Sequence, residues 1–327
     1  MAKISVAMTT YNGSKYIIKQ LDSLKNQSRK IDELVICDDC STDNTVELVN
    51  DYIKSNNLEG WNMYSNENNL GFINNFKQAI KKTTGDIIFL CDQDDEWCVN
   101  KISTMTDIIE KNNQVKLLSC SLAFIDENSR SYTPSNIPLW YGKMISTPQN
   151  EITPIDFINI CNVNFAPGCT MCFTREICDK YCNMDYEYEL PHDWLIALIA
   201  SVDNGYYHLN TSLTNYRIHS SNTIGVSKAK KSENAEQQLS RLKGLKSRLL
   251  FSANSTYKNK EEVNKCINYV DKRISLYKNR SFSNLIAVLK TSKYAKGMCK
   301  NVLLVDAKDI LFYLCLLYTS PSPRDRS

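Results

Sequence analysis

The sequence predicts an α/β protein: a Rossmann-like, mostly parallel sheet flanked by helices, with a helical appendage at the C-terminal end. Three observations carry this. Short apolar runs rich in β-branched residues alternate with amphipathic segments in units of about 30 residues, the spacing of βαβ crossovers. The runs Leu34–Cys37 and Ile87–Cys91 are continuously apolar, as parallel strands covered on both faces should be. Beyond Ser220 the composition shifts to Lys, Ser, Asn, Glu and Gln with leucines at helical spacing.

Taken in order, Lys3–Met8 alternates weakly and gives the first strand, and Ser14–Gln27 sets Ile17, Ile18, Leu21 and Leu24 on one helical face. Leu34–Cys37 is the second strand, followed by a helix that carries Val46, Val49 and Ile53 and that Thr42 or Asp43 can cap. A third helix covers roughly Phe72–Lys82 and leads into the strand Ile87–Cys91. Each crossover should be right-handed. Lys116–Ile125 reads as a further strand, and Asp126–Glu151, with three prolines, as an irregular loop over one side of the sheet. Loops of that length usually serve function or move. Ile155–Cys161 reads as a short helix and Gly168–Thr174 as a strand. Asp193–Val202 is a helix with apolar residues nearly all round, hence buried. These segments define a sheet domain over residues 1–226 and a helical region over 227–319.

The helical region carries Leu239, Leu242, Leu245, Leu249 and Leu250 on one side and Lys228, Lys230, Lys231, Arg241, Lys243, Lys246 and Arg248 on the other. Such a basic face suits an anionic membrane, which allows peripheral association, although a solvated face explains the same pattern more simply. Ile310–Tyr318 is apolar but well short of the roughly 20 residues of a membrane span. Residues 320–327 have no structural logic and read as a translated sequencing adapter.

With 43% apolar and 23% charged residues, the 327-residue chain has an ordinary globular composition. Its net charge of +3 spreads over 39 basic and 36 acidic residues, too balanced for a protein that lives on nucleic acid phosphates. No basic start followed by an apolar core precedes the first strand, so a cytoplasmic location is expected. Thirteen cysteines in a long chain of this kind are expected as reduced, buried thiols. The cluster Cys161, Cys169, Cys172, Cys178 and Cys182 does not read as zinc, because Cys169 and Cys172 would point to opposite faces of a strand. Cys178 and Cys182 would share a helix face.

Four loops follow the strands: Thr9–Gly13, Asp38–Ser41, Ser65–Gly71 and Asp92–Asp95. In a parallel sheet they share the carboxyl edge, where ligands bind. The Asp92-Gln93-Asp94-Asp95 run can hold Mg²⁺ or Mn²⁺ with substrate phosphate oxygens completing the shell. Carboxylates also cap helices, but the convergence of four polar loops favours a ligand.

The motifs TTYNG, DDCSTDNT, NNLGFINNF, FLCDQDDEW, PGCTM, HDW and YRIHSSNTIG together resemble an inverting glycosyltransferase of family 2, with the GT-A fold and a rhamnosyltransferase-like flavour, over about residues 3–225. Cys40 departs from the family, which usually has Gly there. The resemblance implies that Thr9, Tyr11 and Asn12 cradle a nucleotide, that Asp38 or Asp39 accepts the pyrimidine N3 proton, that Asn75 points toward the same base and that Asp92 contacts the ribose. It implies that Asp94, with His219 as a further ligand, binds Mn²⁺ or Mg²⁺, with Asp95 behind them, and that Asp193 is the catalytic base. A helix N-terminus favours the ionised form of such a carboxylate. Gly168, Cys169, Thr170, His192, Trp194 and Arg217 fall on the acceptor and sugar side, with Arg217 as a phosphate clamp. The loop with Ser220, Ser221, Asn222 and Gly225 has the composition of a flap.

The expected partners are a nucleotide-diphosphate sugar, UDP- or dTDP-linked, and a glycan or lipid-linked acceptor, with no nucleic acid. Two competing readings are a sugar-phosphate nucleotidyltransferase, which would prefer a Gly-rich phosphate loop, and a nucleotide-sugar-binding module without turnover.

Overall fold

A computed structural model describes residues 1–134, 139–184, 190–219, 235–255, 257–298 and 302–314. The chain begins with β1 (Ile4–Thr10), α1 (Ile17–Lys25), β2 (Glu33–Asp38), α2 (Thr45–Ser55), β3 (Trp61–Ser65), α3 (Gly71–Lys82) and β4 (Ile87–Cys91). The four strands pair in parallel in the order β3-β2-β1-β4. Ile4, Val6 and Met8 of β1, Leu34 and Ile36 of β2, and Ile87 and Phe89 of β4 enter one buried core. Helices cover both faces, so the intervening residues of these strands are buried too, which is why the runs read as continuously apolar.

Then follow β5 (Glu96–Trp97), α4 (Lys101–Lys111), β6 (Leu117–Ile125), α5 (Leu139–Met144), β7 (Ile152–Pro154), α6 (Phe157–Asn162), β8 (Met171–Thr174), α7 (Arg175–Cys182), α8 (His192–Val202) and β9 (Tyr206–Arg217). They extend the sheet to nine strands among the described residues, in the order β3-β2-β1-β4-β8-β6-β9-β5 with β7 also on β9. This half is mixed. β8 runs antiparallel to β4 and β6, and β5 and β7 run antiparallel to β9. The parallel part of the sheet comprises the first four strands and the long β6–β9 pair, and the antiparallel pairings are those of the short strands β5, β7 and β8. Where a connection is too short for a crossover helix, as from the Asp92–Asp95 loop into β5, the next strand cannot return in parallel.

Two further expectations need correction. Gly168–Thr170 is a 3₁₀ turn ahead of β8 and not part of the strand. The stretch after β6 is less irregular than its prolines implied, since it holds α5 and a bridge from Ile125 to Ser131. α8 is buried along its whole length apart from the half-buried Trp194, as its apolar circumference predicted. The thiols of Cys178 and Cys182 meet on consecutive turns of α7.

The chain divides into two compact units, Met1–Asp156 with Asn164–Lys228, and Phe157–Val163 with Ala229–Ser327. α6 thus belongs to the helical unit, although the sequence reading placed it in the sheet domain. The other helices of that unit are α9 (Ala235–Leu250), α10 (Lys260–Lys278), α11 (Phe282–Thr291) and α12 (Val302–Leu314). α9 packs on α6, and Arg248 is buried there, donating from Nε to the Cys161 carbonyl at 2.6 Å. Arg248 was expected on the basic surface of this helix; Lys228, Lys230 and Lys231 lie outside the described residues, as do the flap residues and residues 320–327. Among the described residues no helix is long and apolar enough to cross a membrane.

Candidate active site

The loops after β1, β2, β3 and β4 are tied to one another at the carboxyl edge. The Gln93 side chain clamps the β4 loop to the β1 loop, accepting from Tyr11 N at 2.9 Å and donating to Tyr11 O at 3.0 Å. A Cβ on Gly13 would collide with Gln93 Oε1 at 2.1 Å, so only glycine allows this closure. Asn12 takes a left-handed φ of 49°, accepts from Thr42 N at 2.8 Å and donates from its own N–H to Ser41 Oγ. The Tyr11 side chain is left exposed, while Thr9 stays within β1, opposite Cys37.

Asp38 and Asp39 are both buried and do different work. Asp38 closes its own loop, accepting from Thr10 Oγ1 (2.7 Å), Ser41 Oγ (2.5 Å) and Ser41 N (2.8 Å). Asp39 reaches to the start of α3, accepting from Leu70 N (2.7 Å), Gly71 N (2.9 Å) and Asn66 Nδ2 (2.9 Å). Negative charge is favoured at a helix N-terminus, where amide donors lack partners. Asn75 lies behind it, buried, donating to Cys37 O at 2.9 Å and accepting from Asn66 Nδ2 at 3.0 Å.

At the end of β4, Asp94 Oδ2 meets His219 Nε2 at 2.8 Å. Asp95 is fully buried; its Oδ1 accepts from Arg217 N at 3.0 Å, and its Oδ2 has no hydrogen-bond partner. Asp92, Asp95 and the Cys169 thiol bring ligand atoms within 4.8 Å of one another. Burial, then the charges of Asp94 and Asp193, push the Asp92 carboxyl up to about 7, and Lys101 opposes the rise. Burial, then the charges of Asp94 and Asp92, hold Asp95 well above the usual carboxylate range.

The Asp193 charge acts on Asp92 across the space between two distant chain segments. Asp193 opens α8 and is buried, with Oδ2 accepting from Asn164 Nδ2 (3.0 Å) and Gly168 N (3.1 Å) and Oδ1 from Trp194 N (2.7 Å). These contacts favour the carboxylate, yet burial outweighs them and lifts Asp193 to about 6. At about 6 it is ionised near neutral pH and basic enough to take a proton.

Gly168, Cys169 and Thr170 are buried and not at an open acceptor surface; the Gly168 amide braces Asp193. A Cβ on Gly168 would press on His192 Nε2 at 3.1 Å and Asp193 Cβ at 3.4 Å. His192 also turns inward and stacks on Phe76 at 3.8 Å. Neither ring nitrogen has a partner, and burial drops its pKa to about 3, so it stays neutral. Arg217 is likewise no phosphate clamp. It is 0% exposed, lies over the Tyr16 ring, and donates to Asp94 O (2.7 Å), Asp126 O (2.8 Å) and Glu96 Oε1 (2.5 Å). Its task is to hold the acidic loop in shape.

Sequence reasoning missed three residues. Lys101 is fully buried beneath the acidic loop, donating to Cys169 O (2.5 Å) and Thr214 Oγ1 (2.9 Å) with its ammonium over the Trp97 ring. A lysine on the same helical face as Met105 was the available signal. Gln93 and Asn164 gave none, because their partners are remote in the chain.

The donors suit a divalent cation. Asp94 and His219 offer a carboxylate oxygen and an imidazole nitrogen already side by side, a set that fits Mn²⁺ or Mg²⁺ when phosphate oxygens complete the shell. The Asp92–Asp95–Cys169 group suits one less well, since burial and the two carboxylates hold Cys169 as a neutral thiol.

The model of the family described as Glycosyl transferase family 2 matches residues 5–182. A poly(ribitol-phosphate) beta-N-acetylglucosaminyltransferase, TarS of Staphylococcus aureus strain Mu50, is 35% identical over 130 residues, 39% of this chain. The match spans only 20% of that relative's length. A dTDP-rhamnosyl transferase of Shigella flexneri, RfbG, is 27% identical over 67% of this chain and 74% of its own. The crystal structure of S. aureus TarS 1-349 in complex with UDP-GlcNAc superposes with a TM-score of 0.60 at 18% identity, covering 92% of this chain and 82% of that one. That likeness establishes a shared fold.

Proposed function

Since the chain belongs to glycosyl transferase family 2, we propose that it moves a sugar from a UDP- or dTDP-sugar, with inversion, to a hydroxyl of a cell-surface polysaccharide or its lipid-linked precursor. The observation that carries this reading is the buried base Asp193 set electrostatically against the Asp92–Asp95 loop. Rhamnose is the sugar of choice, supported by the length of the match to RfbG. Such a donor places the reaction in the cytoplasm, at the inner membrane face when the acceptor is lipid-linked. Family membership leaves nucleotidyl transfer without support.

Asp193 takes the proton of the acceptor hydroxyl as its oxygen attacks the anomeric carbon, while the bond from that carbon to the diphosphate oxygen breaks on the opposite face. Asp39, whose Oδ2 accepts only the Gly71 amide among the described residues, keeps a lone pair for a pyrimidine N3–H. Tyr11 and Asn12 flank the base, and Asp92 takes the ribose. Asp94 and His219 would hold Mn²⁺ or Mg²⁺, which when bound offsets charge on the departing diphosphate. The half-buried Trp194 walls the sugar.

A thermal-shift panel of nucleoside diphosphates and their sugars, with and without Mn²⁺, tests this directly. UDP or dTDP compounds should raise the melting temperature above GDP compounds, and more so with Mn²⁺. Asp94→Ala should erase the metal-dependent part. If no nucleotide stabilises the protein the donor assignment falls, and an unchanged response without metal removes the cation.

A further inference from the structure

α12 is built inside out. Asp309 points inward, fully buried, and accepts from Arg273 of α10 at 2.7 and 2.8 Å and from the Tyr277 hydroxyl at 3.0 Å. Asp306 is buried as well. Outward, Leu303 is 80% exposed and Leu311 57%, with Leu314 alongside. The adjoining α11 exposes Phe282, Ile286 and Leu289 at i, i+4 and i+7 spacing, and the Phe282 ring meets Tyr313 of α12 at 6.4 Å. Tyr313 lies one turn beyond Asp309, on its side of α12, so this contact packs α11 against α12 while both helices leave apolar side chains exposed. A helix that expects water places carboxylates outside and leucines inside. This one forgoes the burial of several large side chains and accepts the desolvation of a buried ion pair instead.

Charge identifies what covers the face. Lys278, Lys290, Lys293 and Lys308 are exposed around it, and the only acidic residues from 278 to 314 are the two buried aspartates. A second copy docked by a two-fold axis would set these cations against themselves. Apolar side chains ringed by lysines suit acyl chains beneath anionic headgroups. We propose that the α11–α12 face of the helical unit docks on an anionic lipid surface. The proposal deepens the function above, and its purpose rests on that reading: a lipid-linked acceptor is concentrated where the enzyme binds. The surface differs from the basic side of α9 that the sequence offered.

The test is co-sedimentation of the full chain with vesicles of phosphatidylcholine alone or with a third phosphatidylglycerol. Binding should require the anionic lipid and weaken when salt rises from 0.1 to 0.5 M. Leu303→Gln with Leu311→Gln should lower the partition coefficient about tenfold while the melting temperature and the response to UDP or dTDP stay unchanged. Lys290→Gln with Lys293→Gln should weaken binding to the anionic vesicles only. Equal binding by the leucine variant overturns the proposal, as does a parent chain that ignores both vesicle types or dimerises through this face. A parent chain that fails to bind vesicles yet responds to nucleotide rejects the surface and spares the function; a parent that binds vesicles without responding to any nucleotide rejects the function alone.

Discussion

At Asp193 two opposing effects meet, and burial wins over three hydrogen bonds to leave the group near 6. Transfer should therefore rise with pH through about 6 and level off above it, as the base becomes ionised. Stability should run the other way. The folded pKa lies above the unfolded 3.8, so the contribution is complete below the unfolded value and lost as pH rises through 6. Between pH 4 and 8 the parent should lose up to about 3 kcal/mol relative to Asp193→Asn in urea denaturation. A constant difference would contradict the assignment. Lys101 supplies the buried positive charge beneath Asp92. Lys101→Met should destabilise the chain by about 3 kcal/mol, because it strands the acidic loop without its counter-charge; an unchanged urea midpoint would show that the charge is not needed. Asp94 and Asp193 could be singled out in the sequence because each stands in a short linear motif. Lys101 was not, since its partners Cys169 and Thr214 are far along the chain. Arg217 was misread because a strand-end arginine beside a histidine looks like an anion clamp until its burial is known.

Among the elements, α3 depends on a carboxylate from another loop. Asp39 serves two of its first amides, so Asp39→Ala should cost about 1–2 kcal/mol and speed hydrogen exchange at Leu70 and Gly71. Exchange at the parent rate would mean that water replaces the cap without loss. α1 and α2 were readable because each carries its own period of apolar residues, and α8 because apolar residues surround it. The 3₁₀ turn at Gly168–Thr170 was not, because three residues are too few to show a period. Nor was the antiparallel seat of β8 beside β4, which depends on strands that arrive from elsewhere in the chain.

For the molecule as a whole, parallel pairing of β1 to β4 gathers four loops at one edge, and this part followed from the alternation of strand and helix. The mixed second half, and the membership of α6 in the helical unit, did not, because both are settled by long-range packing. The central claim is that this sheet brings Asp193, from α8, within electrostatic reach of the loop after β4, where it acts as the base. The most direct test is Asp193→Asn, with donor affinity measured by titration calorimetry and sugar transfer measured in a single turnover. Transfer should fall by about a thousandfold or more with the donor dissociation constant nearly unchanged. An Asn variant that transfers sugar at the parent rate would contradict the account.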